Sequence, residues 1–434
     1  MGITHRFGVS LHTSERGRGR GEACSASTTI GLERGPRVER RIIERLQSHW
    51  QGPPIAVRVA EREYLLGSGQ PASEVIIHRP ALLRMLWLSP ELTFGEAYMR
   101  GEIEVKGSLA DLVEAYNSMQ PAELSPWYAR YVACLRYLPK AMSLRRAMAN
   151  ARHHYNIGND FYKLWLDPSL TYSCAYFLRD TDDLAAAQRQ KLELLCRKVR
   201  LAPGQTLLDI GCGWGSLLIH AARYYGVQVT GVTPAGDQAD YIEALARREG
   251  LSERIRVLRT GWRQIDGKFD RIISVGMFKH VGVKQYREFF NRWRQLLADG
   301  GLSLLHAIGR MKPGPPSPWI DKYIFPGGYL PTLTQIAHYA AEADLSVLDV
   351  ENLKRHYART LQHWLTNFQS VIDQVVVLRG EAFARMWSLY LHGSEAGFRV
   401  GDLQLWQTVL AKDHQHAWPL NRELNSANSH VQVT

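Results

Sequence analysis

The amino-acid sequence predicts an α/β protein built on a doubly wound parallel sheet, with a smaller α+β domain ahead of it. Three observations lead there. Beyond Leu201, β-prone runs alternate with runs of helical period, the rhythm that a parallel sheet with crossover helices imposes. Between Val38 and Met119, short β-prone runs broken by glycine and proline lie among amphipathic helices. The run TLLDIGCGWG (206–215) sets an apolar strand directly before a glycine-rich turn, where doubly wound folds hold ligands.

Taken in order, residues 1–35 are rich in Gly, Arg and Ser without apolar periodicity and read as a disordered basic tail. Residues 36–120 form the small domain. Its first helix puts Val38, Ile42, Ile43 and Leu46 on one face and arginines on the other. IAVRVA, EYLLG and EVIIH then suggest a small sheet between Ile55 and His78, Pro80 opens a helix, and a second helix follows Gly107. Residues 121–152 mix aromatic, basic and proline residues. They read either as a helical linker with a solvated basic face or as an interfacial segment, with Trp127, Tyr128, Tyr131 and Tyr137 beside Arg136, Lys140, Arg145 and Arg146. In the domain spanning 153–434, strands are expected at Gln205–Ile210, Gln228–Thr233, Ile255–Arg259, Arg271–Val275, Leu302–Ile308 and Leu345–Val350. A long helical stretch over about 357–391 precedes a last strand in GDLQLWQTVLAK.

A length of 434 residues exceeds one ordinary core, in keeping with two domains. The formal charge of +11 implies an acidic partner, nucleic acid or anionic lipid headgroups. No run of about 18 apolar residues suggests a spanning helix, and the N-terminus lacks the apolar region of a secretory signal. Arg6 stands where a myristoylation motif wants Ser or Thr. The five cysteines are scattered without a CxxC, so no disulfide framework and no metal site are expected, and a reducing cytoplasm fits.

The glycine-rich turn carries the first chemistry. Gly211, Gly213 and Gly215 let the backbone turn sharply and a ligand approach closely. Asp209 inside the motif (DxGxGxG) marks the pattern of class I methyltransferases rather than the nicotinamide fingerprint. The second strand, VQVTGVTPAGDQ, has no acid at its tip, so Thr233 and Gln238 are the candidates for the ribose hydroxyls, with Asp237 in reserve. Trp262 offers an adenine-stacking surface.

Eight ordered motifs extend this reading: HHYNIGNDFYKLWLDPSLTYSCAYF (153–177), LLDIGCGWG, GVTPAGDQ, FDRIISVGMFKHVG (269–282), LLHAIG (304–309), WIDKYIFPGGYLP (319–331), HYARTLQHW (356–364) and FRVGDLQLWQ (398–407). Together they resemble the cyclopropane-fatty-acyl-phospholipid and mycolic acid cyclopropane synthase family of S-adenosylmethionine-dependent methyltransferases. The stretch PELTFGEAYMRGEIEVKGSLADLVEAYN also resembles the N-terminal domain of the bacterial phospholipid enzymes. The resemblance implies a class I (Rossmann-like) methyltransferase fold, with a helical insertion capping an acyl channel. It places S-adenosylmethionine against Tyr172, Ser173, Gly211, Gly213, Thr233, Gln238 and Trp262. It further implies a bicarbonate ion held by Cys174, His306, Tyr357 and the Ile308 backbone. Tyr172, Trp319, Tyr323, Phe325, Tyr329 and Tyr357 are the candidates for a dry aromatic wall facing a cationic intermediate.

The implied reaction adds the methyl carbon of S-adenosylmethionine across a cis double bond of an unsaturated phospholipid acyl chain, giving a cyclopropane. The alternatives are carbon methylation without ring closure and a non-catalytic lipid-binding relative. Lys279 keeps them open, because the family pattern has Glu at this position of GMFxHVG. At about 4 Å and an effective dielectric near 20, two unit charges interact by roughly 4 kcal/mol. Lys279 either binds bicarbonate as an ammonium, acts as the base when deprotonated by burial, prevents ring closure, or merely points to solvent. Ser394 stands where the phospholipid enzymes carry Cys and is taken as a pocket residue, while Cys212 reads as a small lining residue and His280, His153 and His154 as supporting groups. The expected partner is a phospholipid bilayer, met peripherally at its cytoplasmic face. A homodimer is left open. Nucleic acid is not expected, since no NPPY-like or Pro-Cys target-base motif occurs.

Overall fold

A computed structural model describes residues 37–118, 157–412 and Trp418. The basic tail, the 121–152 segment, His153 and His154 lie outside these residues.

The N-terminal unit contains α1 (Arg37–His49), β1 (Ile55–Val59), β2 (Arg62–Leu66), β3 (Ser73–Ile77), α2 (Ala81–Leu88), α3 (Pro90–Met99), β4 (Ile103–Lys106) and α4 (Leu109–Ser118). Its sheet has the order β2-β1-β3-β4, with β1 and β3 parallel and the outer pairs antiparallel. Ile42 and Ile43 of α1 are buried while Arg40 and Arg41 are exposed, the split expected of a helix that lays one face on a sheet. Ile55, Val59, Ile77, Leu82, Leu83 and Ile103 complete the core. Two elements go beyond the sequence expectation. α3 begins with Pro90 in its first turn, where a missing N–H costs nothing, and β4 follows after Gly101 turns the chain at φ 71°.

The larger unit contains α5 (Asn159–Lys163), α6 (Leu184–Lys198), β5 (Thr206–Ile210), α7 (Ser216–Tyr225), β6 (Gln228–Val232), α8 (Gly236–Arg248), β7 (Ile255–Leu258) and β8 (Phe269–Val275). It continues with α9 (Tyr286–Leu296), β9 (Leu297–Arg310), α10 (Pro318–Tyr323), α11 (Leu333–Glu342), β10 (Ser346–Asn352), α12 (Lys354–Ser370), α13 (Ile372–Arg379), α14 (Glu381–Arg399) and β11 (Leu403–Ala411). The strand order is β10-β11-β9-β8-β5-β6-β7. β5 to β9 run parallel, and β11 is antiparallel to both of its neighbours. The order reverses between β5 and β8, opening a crevice at the carboxyl ends of these strands. The expected helix over about 357–391 is three helices instead, divided at Val371 and at Gly380, whose φ is 85°. The continuous apolar run VVVL hides this break from periodicity.

The two units meet through α14, which packs on α3 and α4. Arg385 Nη2 donates to the Ile103 carbonyl at 3.0 Å, and its guanidinium lies 4.4 Å from the Tyr98 ring centroid. Arg399 pairs with Glu114 at 2.8 Å and Lys322 with Glu96 at 2.6 Å. Trp319 lies so close to Gly95 that a Cβ there would sit 2.2 Å from the indole. Among the described residues, no helix is long and apolar enough to cross a membrane.

Candidate active site

The crevice is lined by the turn after β5, the tips of β6 and β8, β9 and the extended segment before α6. Asp209, next to last in β5, has 2% exposure and a carboxylate oxygen, Oδ1, that has no hydrogen-bond partner. Burial raises its pKa to about 7, with Lys191 acting against the rise. Gly211 and Gly213 have φ of 89° and 54°, and beside Gly213 the space is open. Gly215 lies off the cavity wall: it starts α7 in the left-handed conformation and packs on Ile242. It shapes the turn without facing the crevice.

On the β6 side, the Thr233 hydroxyl donates to Gln238 Oε1 at 2.8 Å, which leaves the buried Gln238 Nε2 without an acceptor. A ribose hydroxyl is the kind of group that satisfies it. Asp237 is exposed and off the wall. Trp262 lines the crevice, edge-on to Phe289 and 4.0 Å from the Arg263 guanidinium. Opposite, Gln188 Nε2 donates to the carbonyls of Thr171 (3.2 Å) and Ser173 (2.9 Å), fixing the segment that carries Tyr172 and Ser173. The Tyr172 and Tyr390 hydroxyls lie 2.9 Å apart. The buried acid, the orphaned amide and the open glycine suit an amino acid joined to a nucleoside, as S-adenosylmethionine is.

Cys174, Lys279, His306, Ile308 and Tyr357 line the same cavity. Lys198 Nζ donates to Gln407 Oε1 at 2.7 Å and also pairs with Glu351. This fixes the Gln407 amide so that its Nε2 faces His306 Nδ1 at 3.2 Å and donates to it. The imidazole proton must then sit on Nε2, which is buried and has no partner. Burial holds His306 well below the usual histidine range, so this N–H belongs to a neutral ring. Lys279 is 9% exposed, with Nζ 3.7 Å from the Phe325 ring centroid, and burial lowers its pKa to about 7. Burial raises the pKa of the Cys174 thiol, whose Sγ donates to the Ala175 carbonyl at 3.1 Å. An N–H donor and a lysine facing one cavity suit a small anion.

Ser394 is off the cavity wall and lies near the Tyr390 hydroxyl instead. Among the expected aromatic wall residues, Tyr172 and Tyr357 line the cavity and Phe325 covers Lys279. Trp319 and Tyr323 belong to the junction with α3, where Tyr323 donates to Glu96 at 3.0 Å, and the Tyr329 hydroxyl is engaged with Gln335. Cys212 lines the crevice as a buried thiol, and His280, half-buried beside Phe325, lines it too. The residues not singled out in the sequence are Lys191, Gln188, Gln407, Tyr390 and Trp214, whose Nε1 donates to Asn159 at 2.8 Å. Asn159, Trp214 and Gln407 lie inside the ordered motifs, and that is the available signal.

Residues 142–408 match the family described as mycolic acid cyclopropane synthetase. The chain belongs to this family. A second match, over 54–124, is to a domain of unknown function. A probable fatty acid methyltransferase of Pseudomonas putida is 34% identical over 366 residues, 81% of this chain and 91% of the relative. The cyclopropane-fatty-acyl-phospholipid synthase of Escherichia coli K12 is 35% identical over 365 residues, 82% of this chain and 93% of the relative. Among solved structures, the mycolic acid cyclopropane synthase CmaA1 complexed with SAH and CTAB is 37% identical. It covers 61% of this chain and 97% of its own, with a TM-score of 0.59. As a mycolic acid cyclopropane synthetase family member, the chain is an S-adenosylmethionine-dependent enzyme with the class I methyltransferase fold.

Proposed function

We propose that this enzyme converts a cis double bond of an unsaturated phospholipid acyl chain into a cyclopropane. The observation that carries the reading is the joining in one buried cavity of a nucleoside–amino acid crevice with an anion-suited pocket of Cys174, His306, Ile308, Tyr357 and Lys279. S-adenosylmethionine, when bound, supplies a methyl group on a positively charged sulfur. Asp209, Tyr172, Ser173, Gly211, Gly213, Gln238 and Trp262 are the residues that would hold it.

Attack by the alkene leaves positive charge on the acyl chain, and loss of a proton from the new methyl closes the ring. The protein's share is to exclude water, to face the charge with Tyr172 and Tyr357, and to hold a base. For a bicarbonate base, the His306 Nε2–H and Lys279 Nζ are the donors; Cys174 and Tyr357 border the same space. Substituting Lys279→Ala should lose activity that added bicarbonate partly restores. The rival product, a methyl-branched or methylene alkene, arises if the proton leaves from elsewhere.

Mass spectrometry of lipids from cells expressing the protein should show a gain of one CH2 per modified chain. Because a branched alkene has the same mass as the ring, ozonolysis must follow. Products that resist cleavage carry the ring, and products that are cleaved establish the branched alkene. The charge of +11 supports peripheral attachment to anionic phospholipid at the cytoplasmic face of a membrane.

A further inference from the structure

α6 carries two buried lysines two turns apart, Lys191 (2% exposed) and Lys198 (8%). Lys198 has found its acceptors, the Glu351 carboxylate and Gln407 Oε1. Lys191 has not. Its Nζ donates to Ser173 Oγ at 3.1 Å, and among the described residues no carboxylate lies within ion-pair distance of it. An ammonium has three donors, and a buried one with a single neutral acceptor is costly to keep.

The charges around Lys191 do not remove this cost. Asp167 faces it from the segment before α6, but its carboxylate accepts from the backbone N–H of Ser169 at 2.9 Å and of Thr171 at 3.0 Å. Cys174 and Cys196 are buried thiols with raised pKa values. His306, held neutral by burial, offers no negative charge. Asp209 is near enough to interact with Lys191 but makes no ion pair with it, and its Oδ1 is unpartnered. Lys191, Asp209 and Ser173 all line the crevice itself. The wall therefore presents a cation without an anion and an acid with an unused oxygen. A zwitterionic amino acid is complementary to that arrangement: its carboxylate suits the lysine and its ammonium the aspartate.

We propose that Lys191 binds the carboxylate of the cofactor's methionine portion, with the Ser173 hydroxyl at its side and Asp209 taking the ammonium opposite. The assignment rests on the cofactor reading given above.

The test compares two ligands on the full chain by titration calorimetry: S-adenosylhomocysteine and its decarboxylated analogue, which keeps adenosine, sulfur and amine. The wild type should bind the decarboxylated analogue about ten- to hundredfold more weakly, the worth of one charge-assisted hydrogen bond. Lys191→Met should bind S-adenosylhomocysteine as weakly as the wild type binds the analogue, and should hold the analogue with wild-type affinity. Unfolding curves for both proteins establish that the variant is folded. Equal binding of both ligands by the wild type overturns the proposal. So does a Lys191→Met variant that weakens both ligands by the same factor, because the lysine would then act through packing alone. A wild type that binds neither ligand brings down the cofactor reading, and this assignment with it.

Discussion

Lys279 is the residue whose energetics reach furthest. Burial holds it at about 7 against an ordinary lysine value of 10.5, so over that interval the unfolded chain binds a proton that the folded chain does not. Folding stability therefore rises with pH across the interval. Lys279→Met should be more stable than the wild type by about 1–3 kcal/mol at pH 7. The gain should shrink as pH approaches 10.5, which thermal melts over a pH series would read. A gain that grows with pH would show that the lysine is not held neutral by burial. Gln407 acts at one remove. Gln407→Leu deletes the donor that pins His306 in its Nε2–H form, and turnover should fall about tenfold with S-adenosylhomocysteine affinity unchanged. Equal loss of both would mean that the substitution disturbs the sheet. Cys174, His306, Tyr357 and Lys279 are legible in the sequence because each sits inside an ordered motif. Lys191 is not, because AAAQRQKLELLCRK reads as an ordinary amphipathic helix, and its inward direction depends on how α6 lies on the sheet. Gln407 lies inside the motif FRVGDLQLWQ, but its role is hidden, since its partner His306 stands 101 residues away along the chain.

At the level of elements, the glycine turn after β5 governs the crevice. Gly213 combines a φ of 54° with open space where a side chain would project. Gly213→Val should therefore cost about 1–3 kcal/mol of strain and lower S-adenosylhomocysteine affinity at least tenfold, measured by calorimetry. Undiminished affinity would remove this turn from the site. The parallel strands are legible because each is a short apolar run before a turn, and the structure keeps every one of them. β9 is longer than expected, spanning Leu297–Arg310, since Asp299, Gly300 and Gly301 do not look like a strand. α3 escapes for a related reason: PELTFGEAYM lacks a clean apolar stripe because it is contacted from two sides, by the small sheet and by Trp319.

For the molecule as a whole, the junction between the units depends on Gly95. A Gly95→Val side chain would overlap the Trp319 indole and should cost about 1–3 kcal/mol through overpacking. Unfolding that splits into two transitions in the variant and stays single in the wild type would report the lost docking. At the same scale, attachment to anionic vesicles should weaken as salt rises, because exposed charges are screened over about 8 Å at physiological ionic strength. Sedimentation with neutral and anionic vesicles checks this, and equal binding to both at every salt concentration would exclude an electrostatic attachment. Replacing Arg136, Lys140, Arg145 and Arg146 by Gln should reduce the anionic component alone.

The placement of β11 has a consequence for biosynthesis. Leu403–Ala411 slots between β9 and β10, and among the described residues β10 pairs with no other strand. At about 5–20 residues per second, the ribosome reaches this strand on the order of ten seconds after finishing β9. Throughout that interval the nascent sheet exposes an unpaired, largely apolar edge along β9, open to association with other chains. Gln407 arrives with the same strand. The polypeptide thus acquires its last sheet pairing and the fixed proton of His306 in a single late event, so a chain stalled before this strand emerges has neither.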